Sequence, residues 1–205
     1  MTRALLVVDV QQEYESGARP VEYPPFPRSL AAIGRAMDAA HAAGLLIVVI
    51  QHDMPATAPV FAVGSDGWAL HPEVAGRPRD HLVNKRLPGA FTDTGLDRLL
   101  REHDVDTVTV VGYMTQHCVD STARQAMHAG LRVEVLSDAT GTLAYANEAG
   151  RIGAREMHEA QLIALQGGIA AVATTADWLA ALDSGTELPL DNPVTSAAHR
   201  TAAVQ

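Results

Sequence analysis

Residues 107–130 read TVTVVGYMTQHCVDSTARQAMHAG. The stretch opens with a continuous apolar run from Thr107, the pattern of a strand covered on both faces. Gly112 then marks the change from strand to turn, where a residue without Cβ relieves crowding. Val119, Ala123, Ala126 and Met127 follow helical spacing up to Gly130, a stop signal. Cys118, the only cysteine of the chain, falls at the start of that helix. Unpaired N–H groups and the helix dipole favour thiolate over thiol at such a place, so the expected state of Cys118 is an activated nucleophile.

Working outward, the same alternation recurs. Strands are expected over residues 4–9, 45–51, 81–84, 107–112, 132–136 and 168–172, the last entered by a turn at Gly167-Gly168. Between them, Leu30, Ile33, Met37 and Ala40 form a helical stripe ended by Gly44, and Leu96, Leu99 and Leu100 form a second after Thr94. A longer helix is expected from about Asn147 towards Leu165, with Ile152, Ala160, Ile163 and Ala164 facing inward. Asp177 to Leu182 makes a brief last one. This order predicts an α/β fold: a single-domain, doubly wound parallel sheet with helices on both faces. Residues 1–182 form the expected domain. Residues 183–205 are expected to be a loose tail or a subunit-clasping extension. Residues 53–80, rich in Pro, Gly and His, are read as a long functional loop or an arm to a neighbour.

The chain has 205 residues, 47% of them apolar, which suits one domain with a sizeable core. Its net charge of −9 and lack of a basic stripe exclude nucleic acid as the expected partner. The apolar run 4–8 is too short to span a membrane and has no cleavage region behind it. A single cysteine excludes an internal disulfide, so the expected compartment is the cytoplasm.

Three polar residues end apolar strands: Asp9, Lys85 and Cys118. In an open α/β sheet, ligands bind beyond the carboxyl ends of the strands where the strand order reverses. If the first and fourth strands flank that reversal, Asp9 and Cys118 emerge side by side, and Lys85 can reach the same crevice. A carboxylate beside a thiol can take its proton and return it to a leaving amine. An ammonium keeps that carboxylate ionised.

These residues lie in segments that together resemble the isochorismatase-like family of cysteine hydrolases: LLVVDVQQEY (5–14), NKRLPGAFTDTGLDRLL (84–100), VVGYMTQHCVDSTARQAMHAG (110–130) and VEVLSDATGT (133–142). The resemblance runs from Ala4 to about Leu182. It implies a six-stranded parallel sheet and a triad of Cys118 as nucleophile, Asp9 as general acid/base and Lys85 as charge partner. It also implies a cis peptide between Tyr113 and Met114 and an oxyanion hole built from the amides of Met114 and Cys118. No cofactor is implied. Relatives that hold a metal carry Asp-x-His after the second strand. Here those positions are Gln51 and Asp53, so a metal on His52, Asp53 and His71 would need another arrangement, and none is expected. Members that cleave isochorismate lack the nucleophilic cysteine, so Cys118 favours amide or carbamoyl C–N hydrolysis of a small molecule.

Tyr14, Phe61, Trp68, His117 and Tyr145 are the candidate pocket walls. His117 is placed outside the triad because neighbours on a helix diverge by about 100°. Gln11 is read as structural. A homo-oligomer, a dimer or larger, is expected. The competing readings are vinyl ether cleavage by acid catalysis from Asp9, with Cys118 dispensable, and a catalytically silent ligand-binding oligomer. A nucleotide-binding Rossmann domain ranks below these, because Asp9-Val10-Gln11-Gln12 stands where a G-x-G-x-x-G turn belongs.

Overall fold

Six strands pair in parallel in the order β3-β2-β1-β4-β5-β8: β1 (Arg3–Val8), β2 (Leu46–His52), β3 (His81–Lys85), β4 (Thr107–Tyr113), β5 (Arg132–Gly141) and β8 (Ala171–Ala173). The computed structural model describes residues 1–195. Successive strands run outward from β1 in one direction and from β4 in the other, so the order reverses between β1 and β4. That junction is the switch point at which an open α/β sheet leaves a crevice. Val8 pairs with Ile50 on one side and Gly112 on the other, so the ends of β1, β2 and β4 lie level with one another.

Side chains alternate across the sheet, and each face has its own core. Leu5 and Val7 pack with Ile33 and Met37 of α1 (Phe26–Ala42) and Trp178 of α6 (Thr175–Ser184). Leu6 and Val8 pack with Leu96 and Leu100 of α3 (Leu96–Glu102), Ala123 and Ala126 of α4 (Asp120–His128), and Leu165 of α5 (Ala154–Gln166). Central strands β1 and β4 are buried along their whole length, which explains their unbroken apolar sequence. Edge strand β3 alternates, leaving Leu82 44% exposed.

Two expectations fail near residue 150. Residues 145–152 are not helical. They form an antiparallel hairpin, β6 (Tyr145–Asn147) with β7 (Gly150–Ile152), and α5 begins only after Gly153. Gly150 takes φ 145°, a conformation glycine reaches without strain, so the chain turns where a helix was expected. The later start also resets the buried face of α5, which is Ala154, His158, Leu162 and Leu165. Ala160 and Ala164 are exposed, and Ile163 is 73% exposed.

The long segment after β2 folds onto its own domain and contains one short turn of helix, α2 (Pro72–Ala75). The amides of Gln12, Glu13 and His71 bond the carbonyls of Ala69, Gly67 and Val10, so it closes over the end of β1. After α6, the Thr186 carbonyl accepts from Arg3 at 2.7 Å and Leu188 is buried in the core. The remainder of the expected tail, 196–205, lies outside the described residues.

Candidate active site

Strands β1, β2 and β3 each place one polar residue at or just past the carboxyl end. Asp9, directly after β1, adopts φ 52°, a left-handed conformation that Asp tolerates better than most residues. Its amide stays bonded to the Ile50 carbonyl of β2 at 2.9 Å while its side chain turns into the crevice. Lys85 and His52 are the last residues of β3 and β2 and are directly paired across the ladder. Beyond β4, the Tyr113–Met114 peptide is cis. The chain then makes one wide turn, Thr115–Val119, in which the amides of His117 and Val119 both donate to the Met114 carbonyl. Wide turns of this kind recur at functional sites. Among the described residues, the Met114 N–H donates to no turn or loop carbonyl and to no side chain.

Asp9, Lys85 and Cys118 meet in one buried cluster. The Lys85 ammonium lies 2.7 Å from Asp9 Oδ2 and donates to Cys118 Sγ at 3.3 Å, to His52 Nδ1 at 2.9 Å and to the Leu87 carbonyl at 3.1 Å. Close as the ion pair is, neither Asp9 oxygen receives an aligned hydrogen bond, so both keep lone pairs free to accept a proton. Because an ammonium only donates, His52 Nδ1 is the acceptor. Burial and the Lys85 charge lower the pKa of His52, so it stays neutral.

The sulfur differs from its expected state. Cys118 is 3% exposed and precedes α4 rather than opening it. Burial raises its pKa first and the Asp9 carboxylate raises it further, while Lys85 only partly opposes them. The resting group is a thiol. Loss of water outweighs the helix terminus, because a charged sulfur there would have to be desolvated.

Among the described residues, one group of three His, Cys or carboxylate donors is close enough to share an ion: Asp9, His52 and Cys118, with ligand atoms within 4.8 Å of one another. The Lys85 ammonium already stands within 3.3 Å of an atom of each. A divalent cation would have to share that space with a like charge, so the donor set does not fit a metal. His52, Asp53 and His71 are not brought together. Asp53 accepts from Trp68 Nε1 and Asn84, and His71 bonds Glu15 and the Glu73 amide.

A model of the isochorismatase domain matches residues 3–177. The chain belongs to the isochorismatase family. A solved structure of a provisionally assigned isochorismatase from Burkholderia xenovorans LB400 is 48% identical, with a TM-score of 0.96 over 99% of this chain and 98% of that one. Streptothricin hydrolase of Streptomyces noursei is 41% identical over 68% of this chain. The match spans only 50% of that relative's length. Nicotinamidase 3 of Arabidopsis thaliana is 29% identical over 82% of each chain.

Within this isochorismatase-family chain the candidate walls are unequal. Tyr14 packs its ring 5.3 Å from both Phe61 and Tyr113, and its phenol is raised in pKa by burial and then by Cys118 and Asp9. Phe61 meets His52 edge-on at 5.5 Å. Tyr145 packs, partly buried, against the same core as Tyr14. Trp68 instead braces the loop: its indole N–H goes to Asp53, and its carbonyl accepts from Gln11 and Gln51. His117 lies closer to the chemistry than its helical position implied, with Nδ1 3.4 Å from Cys118 Sγ. Gln11 is structural as expected, since its amide clamps both the N–H and the C=O of His52.

Sequence reasoning missed two groups. His52, a candidate only for a metal on the sequence pattern, ends an apolar strand just as Asp9 follows one. His158, buried on α5, donates from Nε2 to the Ser137 carbonyl and accepts the Thr115 hydroxyl at Nδ1, pinning the turn that carries Cys118. No local signal marks it. A hollow of about 800 Å³ lies at the opposite, amino end of the strands beside Arg3, Leu46 and His81, far from this chemistry. A smaller one, of about 370 Å³, reaches Lys85.

Proposed function

We propose that this protein is a hydrolase that cleaves the C–N bond of a small amide or carbamoyl compound through a thioester on Cys118. The observation that carries this reading is the Lys85 ammonium bridging Asp9 and Cys118 at 2.7 and 3.3 Å inside a closed site. The names of its amide-cleaving relatives support the same reaction class.

Asp9 takes the thiol proton as sulfur attacks the carbonyl carbon. Lys85 stabilises the negative charge left on the pair. The amides of Met114 and Cys118 receive the oxyanion of the tetrahedral intermediate. Asp9 then hands the proton to the nitrogen, the C–N bond breaks, and ammonia or an amine departs, leaving the acyl group on sulfur. Water, deprotonated by Asp9, attacks the thioester. Sulfur leaves, regains its proton, and the carboxylic acid is released. In sum one amide and one water become one acid and one amine. His52, neutral, holds the Lys85 ammonium in register rather than moving the proton.

The test is a panel read by ammonia release for primary amides and ureido acids and by the ring-opened amino acid for lactams, with Cys118→Ala as the blank. Mass spectrometry of the quenched enzyme should find an acyl adduct on the peptide containing Cys118. Full turnover by Cys118→Ala would overturn the covalent route.

A further inference from the structure

The Lys85 ammonium has more partners than protons. It carries three N–H bonds, while four polar atoms stand within 3.3 Å of it: Asp9 Oδ2 at 2.7 Å, His52 Nδ1 at 2.9 Å, the Leu87 carbonyl at 3.1 Å and Cys118 Sγ at 3.3 Å. The N–H bonds go to the last three. Neither Asp9 oxygen is hydrogen-bonded, although one of them is the nearest atom of the four. The carboxylate that takes the thiol proton thus feels the charge of Lys85 without being tied down by its N–H groups.

His52 is held so as to keep that arrangement. It lies directly opposite Lys85 in the β2–β3 ladder, and the Gln11 side-chain amide bonds its N–H at 2.9 Å and its C=O at 3.0 Å. Phe61 meets the ring edge-on at 5.5 Å. Backbone and ring are both fixed, so Nδ1 is presented to Lys85 in one orientation. What Nδ1 can do depends on charge. A neutral imidazole has one bare nitrogen that accepts, whereas an imidazolium carries a proton on both and accepts nothing. Facing the ring are Lys85 from β3, Asp9 from the end of β1, and His117 and Cys118 from the turn after β4, with Asp53 beside it in the chain. Burial and then the Lys85 charge both work against the imidazolium.

From this cluster we infer that His52 is a positioning residue that keeps the Lys85 N–H bonds off Asp9, and that it does so only while its ring is neutral, so that protonation of His52 switches the site off. The inference rests on the hydrolase reading above. Once the imidazole is charged, the N–H it held is released beside a carboxylate 2.7 Å from the same nitrogen. A hydrogen bond to the charged form of an acid weakens its hold on a proton, so Asp9 becomes a poorer base for the thiol. His52 acts through Lys85 rather than on the substrate, so its loss falls on kcat and not on KM.

The test is the pH profile of kcat on the best amide of the panel above, with circular dichroism confirming folded protein at each pH. Wild-type kcat should fall below about pH 6.5 as His52 gains its proton. His52→Leu offers no acceptor and should lower kcat about 100-fold at about pH 8, with KM within about threefold. His52→Asn places an amide oxygen near the position of Nδ1 and does not titrate. It should recover about tenfold or more of that loss and move the midpoint of the acid limb down by about half a pH unit or more. His117→Asn should leave that midpoint in place, whatever its rate. Nitrogen-15 NMR of the wild-type protein needs neither a variant nor turnover: His52 should carry its proton on Nε2 above about pH 7, and the Lys85 ammonium signal should change with the same midpoint as the His52 ring. A limb unmoved in His52→Asn, a limb that follows His117 instead, or a Lys85 signal indifferent to His52 would overturn the inference. The two levels separate cleanly. No amide hydrolysed, with Lys85 still following His52, would refute the hydrolase reading and keep the switch; amides hydrolysed with an unmoved limb would do the reverse.

Discussion

Gly112 is where fold and chemistry depend on a single missing methyl group. It takes φ 113°, and a Cβ placed there would lie 2.0 Å from the Val8 carbonyl oxygen, with further contacts at 2.8 Å. Ordinary carbon–oxygen contacts exceed about 3.3 Å, so Gly112→Ala must push β1 and β4 apart by more than 1 Å or abandon the backbone angle. The strained conformation alone costs about 1–3 kcal/mol. Forcing a methyl group into a packed interior adds about 1–3 kcal/mol more. Together they give about 2–6 kcal/mol, a large part of a typical domain's total stability. Gly130→Ala is the control, because Gly130 has φ 86° but nothing within 4 Å of its added Cβ. It should show the strain without the clash. Urea unfolding of both variants measures the difference. Because Val8 precedes Asp9, the displacement also moves the carboxylate relative to Cys118, and a shift near 1 Å is enough to cost about 100-fold in turnover. A Gly112→Ala protein as stable as Gly130→Ala, with unchanged activity, would refute the claim that this contact registers the two halves of the site.

Three further outcomes are expected. Iodoacetamide should modify resting Cys118 much more slowly than free cysteine at pH 7.5, since burial and Asp9 hold it as a thiol; rapid labelling would contradict that protonation state. Lys85→Met should destabilise the fold by about 3–5 kcal/mol because it strands a buried carboxylate, and adding Asp9→Asn should recover part of the loss; a Lys85→Met loss below about 1 kcal/mol would show that the pair is not buried. Burial lowers the pKa of His52, His117 and His158 in the folded state, so the unfolded chain binds protons first as pH falls. Their contribution is complete above about pH 6.5 and is lost as pH drops through the lower folded values, so the urea midpoint should fall between pH 7 and 5. His158→Gln should flatten that fall, and a midpoint that rises on acidification would contradict the sign.

Much of this protein is legible along the chain because a strand buried on both faces leaves an unbroken apolar run. The expected β1, β2 and β4 match within a residue or two, and Asp9 stands where one such run stops; Lys85 ends an alternating edge strand, and Cys118 was marked by its place at the start of a helix. The reading fails where local pattern underdetermines phase. From Asn147 to Leu165 several helical faces fit the sequence, and the face chosen was wrong because Gly150 and Gly153 delay the start of α5. His158 gave no signal at all, since its partners Thr115 and Ser137 lie 43 and 21 residues away.

The order of residues thus determined the strand ends and which chemical groups sit on them, since both are properties of short segments. Only the assembled structure decided the state of those groups: a protonated thiol, a neutral His52 under an ammonium, and an imidazole at His117 that turns back to the sulfur. Desolvation and Coulomb interaction sum over every neighbour in space, and those neighbours come from strands far apart in the chain.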